Sequence, residues 1–316
     1  MPEREEFTFP SSTGKDTIFA RLWLPDREQP RAMIQIVHGI AEHGGRYAEF
    51  AQFLTARGYA VAADDHLGHG KSVGADGCLG YFAAENGWDR VVDDLHTLHE
   101  RLVARFPGVP QYMLGHSMGS FLARTYLIRY AGELAGCILS GTGWHNPATC
   151  RVGSSVAGGE SRRIGGRGRS GLVDAMCFGT YNGHFAPCRT KNDWLTRDAD
   201  IVDRYMEDPL CGFVPTVSLI RDMMGGLKFI CTERNLSAMD KTMPVLFIAG
   251  DADPVGSYGD GVVRTYRAFR KAGMQNVRLK LYPGGRHEIL NETNRSQVYA
   301  DVAAWLEKTE QTGKED

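Results

Sequence analysis

Short apolar runs that alternate with helix-period segments constrain this 316-residue chain more than any other feature. Met33 to Val37, residues 59–63, 111–115, 134–139, 244–249 and 277–282 are brief, nearly all apolar runs, most of them bounded by Gly or Pro. Between or after them, residues 46–57, 87–106, 118–130, 259–272 and 295–308 carry apolar side chains at helical spacing. In 87–106, Val91, Leu95, Leu98 and Leu102 share one face, and Pro107-Gly108 stops the helix. Strands alternating with helices predict an α/β fold with a mostly parallel central sheet and helices on both faces. Right-handed crossovers then bring the strand ends, and any site, to one edge. Ahead of this, Phe7–Phe9 and Thr17–Leu24 alternate around Ser-Ser-Thr-Gly-Lys, as an antiparallel hairpin does.

The rhythm breaks at 145–240. The expected division is a core of residues 1–144 and 241–316 with a helical cap, or lid, inserted at 145–240. Arg151 to Gly171 contains seven Gly, five Arg and four Ser, so mobility is expected there. Residues 172–240 are helical in pattern. Phe213, Val217, Ile220, Met224 and Leu227 fall at helical spacing, which makes Phe213, Val217 and Ile220 candidate substrate contacts. A stripe of this kind is also what a core-facing helix needs; its methionines adapt to varied apolar ligands.

Bulk composition excludes several functions. The net charge of −2 gives no electrostatic case for binding nucleic acid. MPEREEFTFP is charged and lacks the apolar run of a signal peptide, and no apolar stretch is long enough to span a bilayer. Seven scattered cysteines without a CxxC pair fit reduced thiols, and the expected location is cytoplasmic. No sequence signal speaks to oligomeric state.

The chemistry centres on Gly115-His116-Ser117-Met118-Gly119, placed between a strand and a helix. A serine on so sharp a turn projects its hydroxyl above the sheet, and the glycines are needed because a Cβ would clash there. Ser117 is therefore the candidate nucleophile; the plainer alternative is a helix N-cap. A serine hydroxyl needs a base, and in such a fold the acid and then the histidine follow in sequence. His287 follows the last strand and is the only histidine after residue 184. Two aspartates compete for the acid in Gly250-Asp251-Ala252-Asp253. The third position past the strand-ending glycine favours Asp253; Asp251 would be a turn residue. The backbone N–H groups of Met118 and of Ile40, in His38-Gly39-Ile40, are the candidate oxyanion donors, with His38 and Gly39 as further substrate contacts. His38, His43, His66 and His69 lack HExxH spacing, so they are expected to hold loops by hydrogen bonds, with no metal. His96 and His99 are read as part of a solvated helix face.

Several motifs resemble the monoacylglycerol lipase and lysophospholipase group of α/β hydrolases. They are His38-Gly39-Ile40-Ala41-Glu42-His43-Gly44-Gly45-Arg46-Tyr47, Asp65-His66-Leu67-Gly68-His69-Gly70-Lys71-Ser72, the GHSMG turn, and the late Gly250-to-Asp253 segment with its following histidine. Residues 193–213 look like the cap of bacterial members. The resemblance implies the α/β-hydrolase fold, a cap guarding an acyl-chain tunnel, and hydrolysis of a small-molecule acyl ester or lipid without a cofactor. Separately, the amphipathic pattern of the cap points to transient membrane contact. The Gly/Arg-rich 151–171 departs from the helical cap opening of that group. The rivals on the same fold are a general carboxylesterase, thioesterase, acyltransferase or aminopeptidase. The last would need a cap carboxylate such as Glu207, Asp208 or Glu233. A non-catalytic binding module is the rival of another class, although all three triad positions are filled.

Overall fold

The computed structural model describes residues 3–75 and 77–312. Its spine is a set of strands too apolar to face water on either side. β3 (Met33–Val37), β4 (Ala60–Asp65), β5 (Gln111–His116), β6 (Gly136–Ser140) and β7 (Val245–Gly250) are buried at every position. Successive side chains point to opposite faces. Met33 and Val37 enter one core with Ala60, Ala62, Val245 and Phe247; Ile34 and Ile36 enter the other with Val61, Leu246 and Ile248.

β1 (Glu3–Pro10) and β2 (Thr17–Leu24) form the expected hairpin, and β8 (Val277–Tyr282) closes the far side. The strand order is β1-β2-β4-β3-β5-β6-β7-β8, with β3 to β8 parallel and β1 and β2 antiparallel. α2 (Gly87–Arg105), α3 (Met118–Arg129) and α9 (Asp260–Lys271) cover one face; α1 (Ala48–Thr55) and α10 (Arg295–Thr312) cover the other. On α10, Val298, Val302, Trp305 and Leu306 are buried, each contributing roughly 1.5–3 kcal/mol.

Between β6 and β7 the chain runs through α4 (Pro147–Ile164), α5 (Gly171–Phe178), α6 (Ala199–Glu207), α7 (Val217–Ile230) and α8 (Glu233–Leu236). The mobile segment expected at 151–171 is instead mostly helix. Asn146 accepts a hydrogen bond from Ala148 N–H, Pro147 occupies the first turn, and Gly165, at φ 81°, ends the helix. One of its glycines serves packing: a Cβ at Gly153 would lie 3.2 Å from the Met224 sulfur, so α4 sits close on α7. The loop that follows is tied down. Gly166 and Gly168 carbonyls accept from Ser218 and Val217 N–H, and Arg169 donates to Leu79 O. His96 and His99 also differ from the solvated face expected: His99 is buried, and His96 stacks 3.9 Å from the Tyr130 ring. Among the described residues no helix is long and apolar enough to cross a membrane.

The tightest point is where α3 leaves β5. A Cβ at Gly119 would lie 2.0 Å from the Val37 carbonyl oxygen, and one at Gly115 would lie 2.4 Å from Gly119 O. These contacts are backbone to backbone, so no side chain can move aside. Gly119→Ala should therefore lower unfolding stability by at least about 3 kcal/mol, read from a urea titration of purified protein.

Candidate active site

Neighbouring parallel strands deliver their C-terminal ends to one edge. β3 leads to His38-Gly39-Ile40, β5 to Ser117, β7 to Asp253 and β8 to His287. Ser117 has φ 52° and ψ −122°, a conformation that residues with a Cβ seldom adopt, and it stands at the N-cap position of α3 without a side-chain capping bond. A Cβ on Gly39 would lie 3.1 Å from Ser117 Cβ, so the glycine lets the β3 loop rest against the serine.

His287 is buried, and its Nδ1 donates to Asp253, with both carboxylate oxygens at 3.0 Å. Asp253 is fully buried and also accepts from Val255 N–H at 2.9 Å. Asp251 lies exposed and accepts from Gly284 N–H at 2.7 Å, so it clamps a turn and does not meet the histidine. Burial disfavours the His287 imidazolium, but Asp253, Glu288 and Glu42 outweigh it, and the pKa ends above the usual histidine value. His116, with its ring centroid 4.8 Å from that of His287, is pushed down to about 4 by burial and by His287. Among the described residues no hydrogen bond joins Ser117 to His287, and neither Ile40 N–H nor Met118 N–H has a protein acceptor.

Two cavities meet at Ser117. One, of about 320 Å³, is lined by Gly39, Glu42, His116, Asp174, Asn182, Lys191, Phe213 and Glu288 among others. The second, of about 420 Å³, is walled largely by apolar groups, including Phe121, Trp144, Val156, Met176, Tyr181, Ile220, Met223 and Leu227. Ile40 and Ser117 line both; Met118 lines the second and His287 the first.

The expected substrate contacts divide accordingly. Gly39 and Phe213 line the first cavity and Ile220 the second. Phe213 lies ahead of α7, which starts at Val217 behind the Thr216 cap. Val217 is fully buried, donates its N–H to Gly168 O and lines neither cavity, so it is a packing residue. His38 likewise lines neither. It is buried, its Nδ1 donates to Gly39 O at 2.7 Å, and its Nε2 accepts from His66 N–H at 3.0 Å. His66 in turn bridges Asp64 at 2.7 Å and His38 O at 3.1 Å, so these histidines hold the β3 loop.

One group among the described residues has ligand atoms close enough for a metal: His43, Asp208 and Cys211. His43 Nδ1 accepts from Gly45 N–H, so its Nε2–H donates to Asp208 at 2.9 Å. Burial pushes the Cys211 thiol pKa up, which disfavours the thiolate a metal would take. A hydrogen-bonded cluster fits this chemistry better than a metal centre.

A buried ion network beneath the site is absent from the expected residue set. Arg46 donates to Glu42 at 2.6 Å and to both oxygens of Glu288 at 2.7 Å. Glu42 and Arg46 stand inside the first motif quoted above, and Glu288 follows the candidate base, so adjacency was the available signal. Trp194, whose ring packs 5.1 Å from His287, carried no signal beyond its place in 193–213.

A family described as serine aminopeptidase, S33, matches residues 28–294. The chain is 30% identical over 303 residues to a monoacylglycerol lipase of Mycolicibacterium smegmatis, spanning 96% of this chain and 97% of that one. It is 27% identical over 301 residues to the monoglyceride lipase of Homo sapiens, spanning 92% and 86%. Among solved structures, a highly thermostable carboxyl esterase from Bacillus coagulans superposes with a TM-score of 0.91 at 31% identity, covering 98% of this chain and 100% of that one. A soluble variant of the Saccharomyces cerevisiae monoglyceride lipase shares the fold, with a TM-score of 0.77 at 21% identity, covering 98% and 96%. The architecture is thus the α/β-hydrolase fold.

The ion network sets a pH dependence of stability. Burial alone would raise the Glu288 pKa; Arg46 overrides it and holds the group at about 2. A carboxylate with a depressed folded pKa adds stability above its unfolded value and loses it as pH falls towards the folded one. Glu288→Gln should be clearly less stable than wild type at pH 7, and the gap should narrow as pH falls from about 4.5 towards 2, seen in paired thermal melts.

Proposed function

The chain belongs to the serine aminopeptidase S33 family, and we propose that it hydrolyses carboxylic esters of acyl lipids, monoacylglycerols foremost, through a Ser117 acyl-enzyme. The observation that carries this reading is the placement of Ser117 where two cavities meet, one walled largely by apolar groups and one whose wall also carries Glu42, Asp174, Asn182, Lys191 and Glu288. An acyl chain suits the apolar cavity and a polyol head group the polar side chains of the other, with their ester carbonyl at the junction. The family resemblance supports it, as do the named lipase relatives and the Bacillus coagulans esterase, whose structure holds glycerol.

In the proposed mechanism, His287 takes the Ser117 proton as the serine attacks the ester carbonyl. Asp253 keeps the proton on Nδ1, so that Nε2 acts as the base, and stabilises the imidazolium that forms. The Ile40 and Met118 amides, helped by the N-terminus of α3, hold the oxyanion. His287 then protonates the leaving alcohol, and water hydrolyses the acyl-enzyme. No cofactor enters this chemistry.

Charge in the cavity lined by Glu42 and Glu288 favours a neutral head group. Glu42, Asp174 and Glu288 line it against Lys191 alone, and Arg46 is already committed to two of those carboxylates. A phosphate would meet net negative charge, whereas glycerol hydroxyls would find acceptors. In this reading residues 145–240 form a cap over a core of residues 1–144 and 241–316. Val152 and Met176 line the apolar cavity and are 61% and 55% exposed, with Leu172 nearby at 59%. Arg151 and Arg162 are exposed on the same helix as Val152. That rim is where transient contact with a lipid surface is proposed.

Hydrolysis should be measured for wild type, Ser117→Ala and Asp253→Asn on monoacylglycerols, lysophosphatidylcholine and p-nitrophenyl esters. Ser117→Ala should lose ester turnover while melting like wild type, and near-normal activity would refute the assignment. Asp253→Asn should lower kcat by about 10³- to 10⁴-fold. Activity confined to short p-nitrophenyl esters would point to a general esterase, and a preference for an aminoacyl anilide to an aminopeptidase. Because neutral His287 is the base and its pKa is raised, kcat/KM should fall with decreasing pH through a midpoint above about 6.5.

A further inference from the structure

The loops that carry Ile40 and His287 leave β3 and β8, and three strands, β5, β6 and β7, separate them in the sheet. Strand pairing therefore does not fix their mutual distance directly. A single side chain spans the gap. Arg46 holds Glu42 through Nη1, and Glu42 accepts from Gly39 N–H at 2.6 Å and from Tyr47 Oη–H at 2.9 Å. The same guanidinium forks onto Glu288, the residue next to His287, with both bonds at 2.7 Å. The three side chains are 12%, 3% and 4% exposed, and the Tyr205 ring covers the guanidinium at 4.8 Å.

We infer that Arg46 is a positioning residue, which ties the oxyanion loop to the histidine loop and so sets the spacing between the Ile40 amide and the base. This rests on the ester-hydrolase reading above. The fork matters as much as the charge: a planar guanidinium bonds two carboxylates at fixed angles, and an ammonium does not. Misplacing reacting groups by about 1 Å costs roughly 100-fold in rate, so the link acts on turnover more than on substrate affinity.

The test compares Arg46→Met, Arg46→Lys and Glu288→Gln with wild type on p-nitrophenyl butyrate. Melting curves confirm folding, and labelling by a fluorophosphonate gives a second readout. Arg46→Met should lose about 10- to 100-fold in kcat and in labelling rate, with KM changed less than about threefold. Arg46→Lys should recover only part of the loss. The pH profile separates positioning from loosened structure, because Asp253, Glu288, Glu42 and His116 are the titrating groups around His287. Removing Arg46 leaves Glu42 and Glu288 uncompensated and should move the acid limb of kcat/KM to higher pH. Glu288→Gln should move it to lower pH. Wild-type kcat and labelling with an unmoved acid limb in Arg46→Met would overturn the inference, as would a change in KM alone. If Arg46→Met does not fold, Arg46→Lys and Glu288→Gln carry the same readouts. A wild type that labels at Ser117 yet cleaves no ester defeats the ester-hydrolase reading, while the labelling rates still decide the role of Arg46.

Discussion

The approach of the first turn of α3 to the end of β3 is the constraint on which the rest depends. Only a residue without a Cβ fits at Gly119, where the Val37 carbonyl stands 2.0 Å from the position a Cβ would take. That contact sets the angle at which α3 leaves the sheet, and with it the strained backbone that lifts Ser117 above the edge. It also brings two unpartnered amides, from Ile40 and Met118, to the same corner as the serine. Both are backbone groups, so the identity of their side chains matters less than the fold that places them.

Buried charge then holds this corner rigid. On one side Asp64 and His66 support the carbonyl of His38; on the other Glu42, Arg46 and Glu288 hold the amide of Gly39. Buried ion pairs are weak evidence for stability, because desolvation offsets their attraction. Here the carboxylates and imidazoles also accept or donate bonds to loop backbone, which gives them a geometric task. Burial depresses the pKa of His116, whereas at His287 burial is outweighed by Asp253, Glu288 and Glu42 and the pKa is raised, so two adjacent imidazoles sit in different protonation ranges.

Much of this architecture was legible in the sequence, for a physical reason. Strands buried on both faces have to be apolar throughout, and the strand-to-helix turn at Ser117 has to contain glycine, so both leave marks that a reader can find. The preference for Asp253 over Asp251 rested on its position past the strand-ending glycine alone; the burial of one and the exposed turn contact of the other, two residues apart, appear only in the structure. Glycine in 151–171 was read as mobility, whereas at Gly153 it lets α4 approach α7. Local composition cannot tell those uses apart, because the helix that α4 packs on comes about seventy residues later. Val217 shows the same limit: a stripe at helical spacing marks a buried face without saying whether protein or ligand covers it.

The insertion is fastened to both loops of the site. Trp194 and Leu195 carbonyls accept from His287 and Glu288 N–H, while Gly212 N–H and the Tyr205 hydroxyl both donate to Ala41 O. α7 is fixed too, as its buried side chains share the core beneath the sheet face. The insertion therefore cannot swing outward as one plate without unseating the two loops it would expose. α4 and α5 make no hydrogen bond to either loop among the described residues; with α4 packed on α7, they wall the apolar cavity and carry the exposed Val152, Leu172 and Met176. Drift in the 147–178 stretch reshapes the apolar cavity while the corner around Ser117 stays as it is, so the shape of that cavity and the geometry of the corner are separately heritable in this chain.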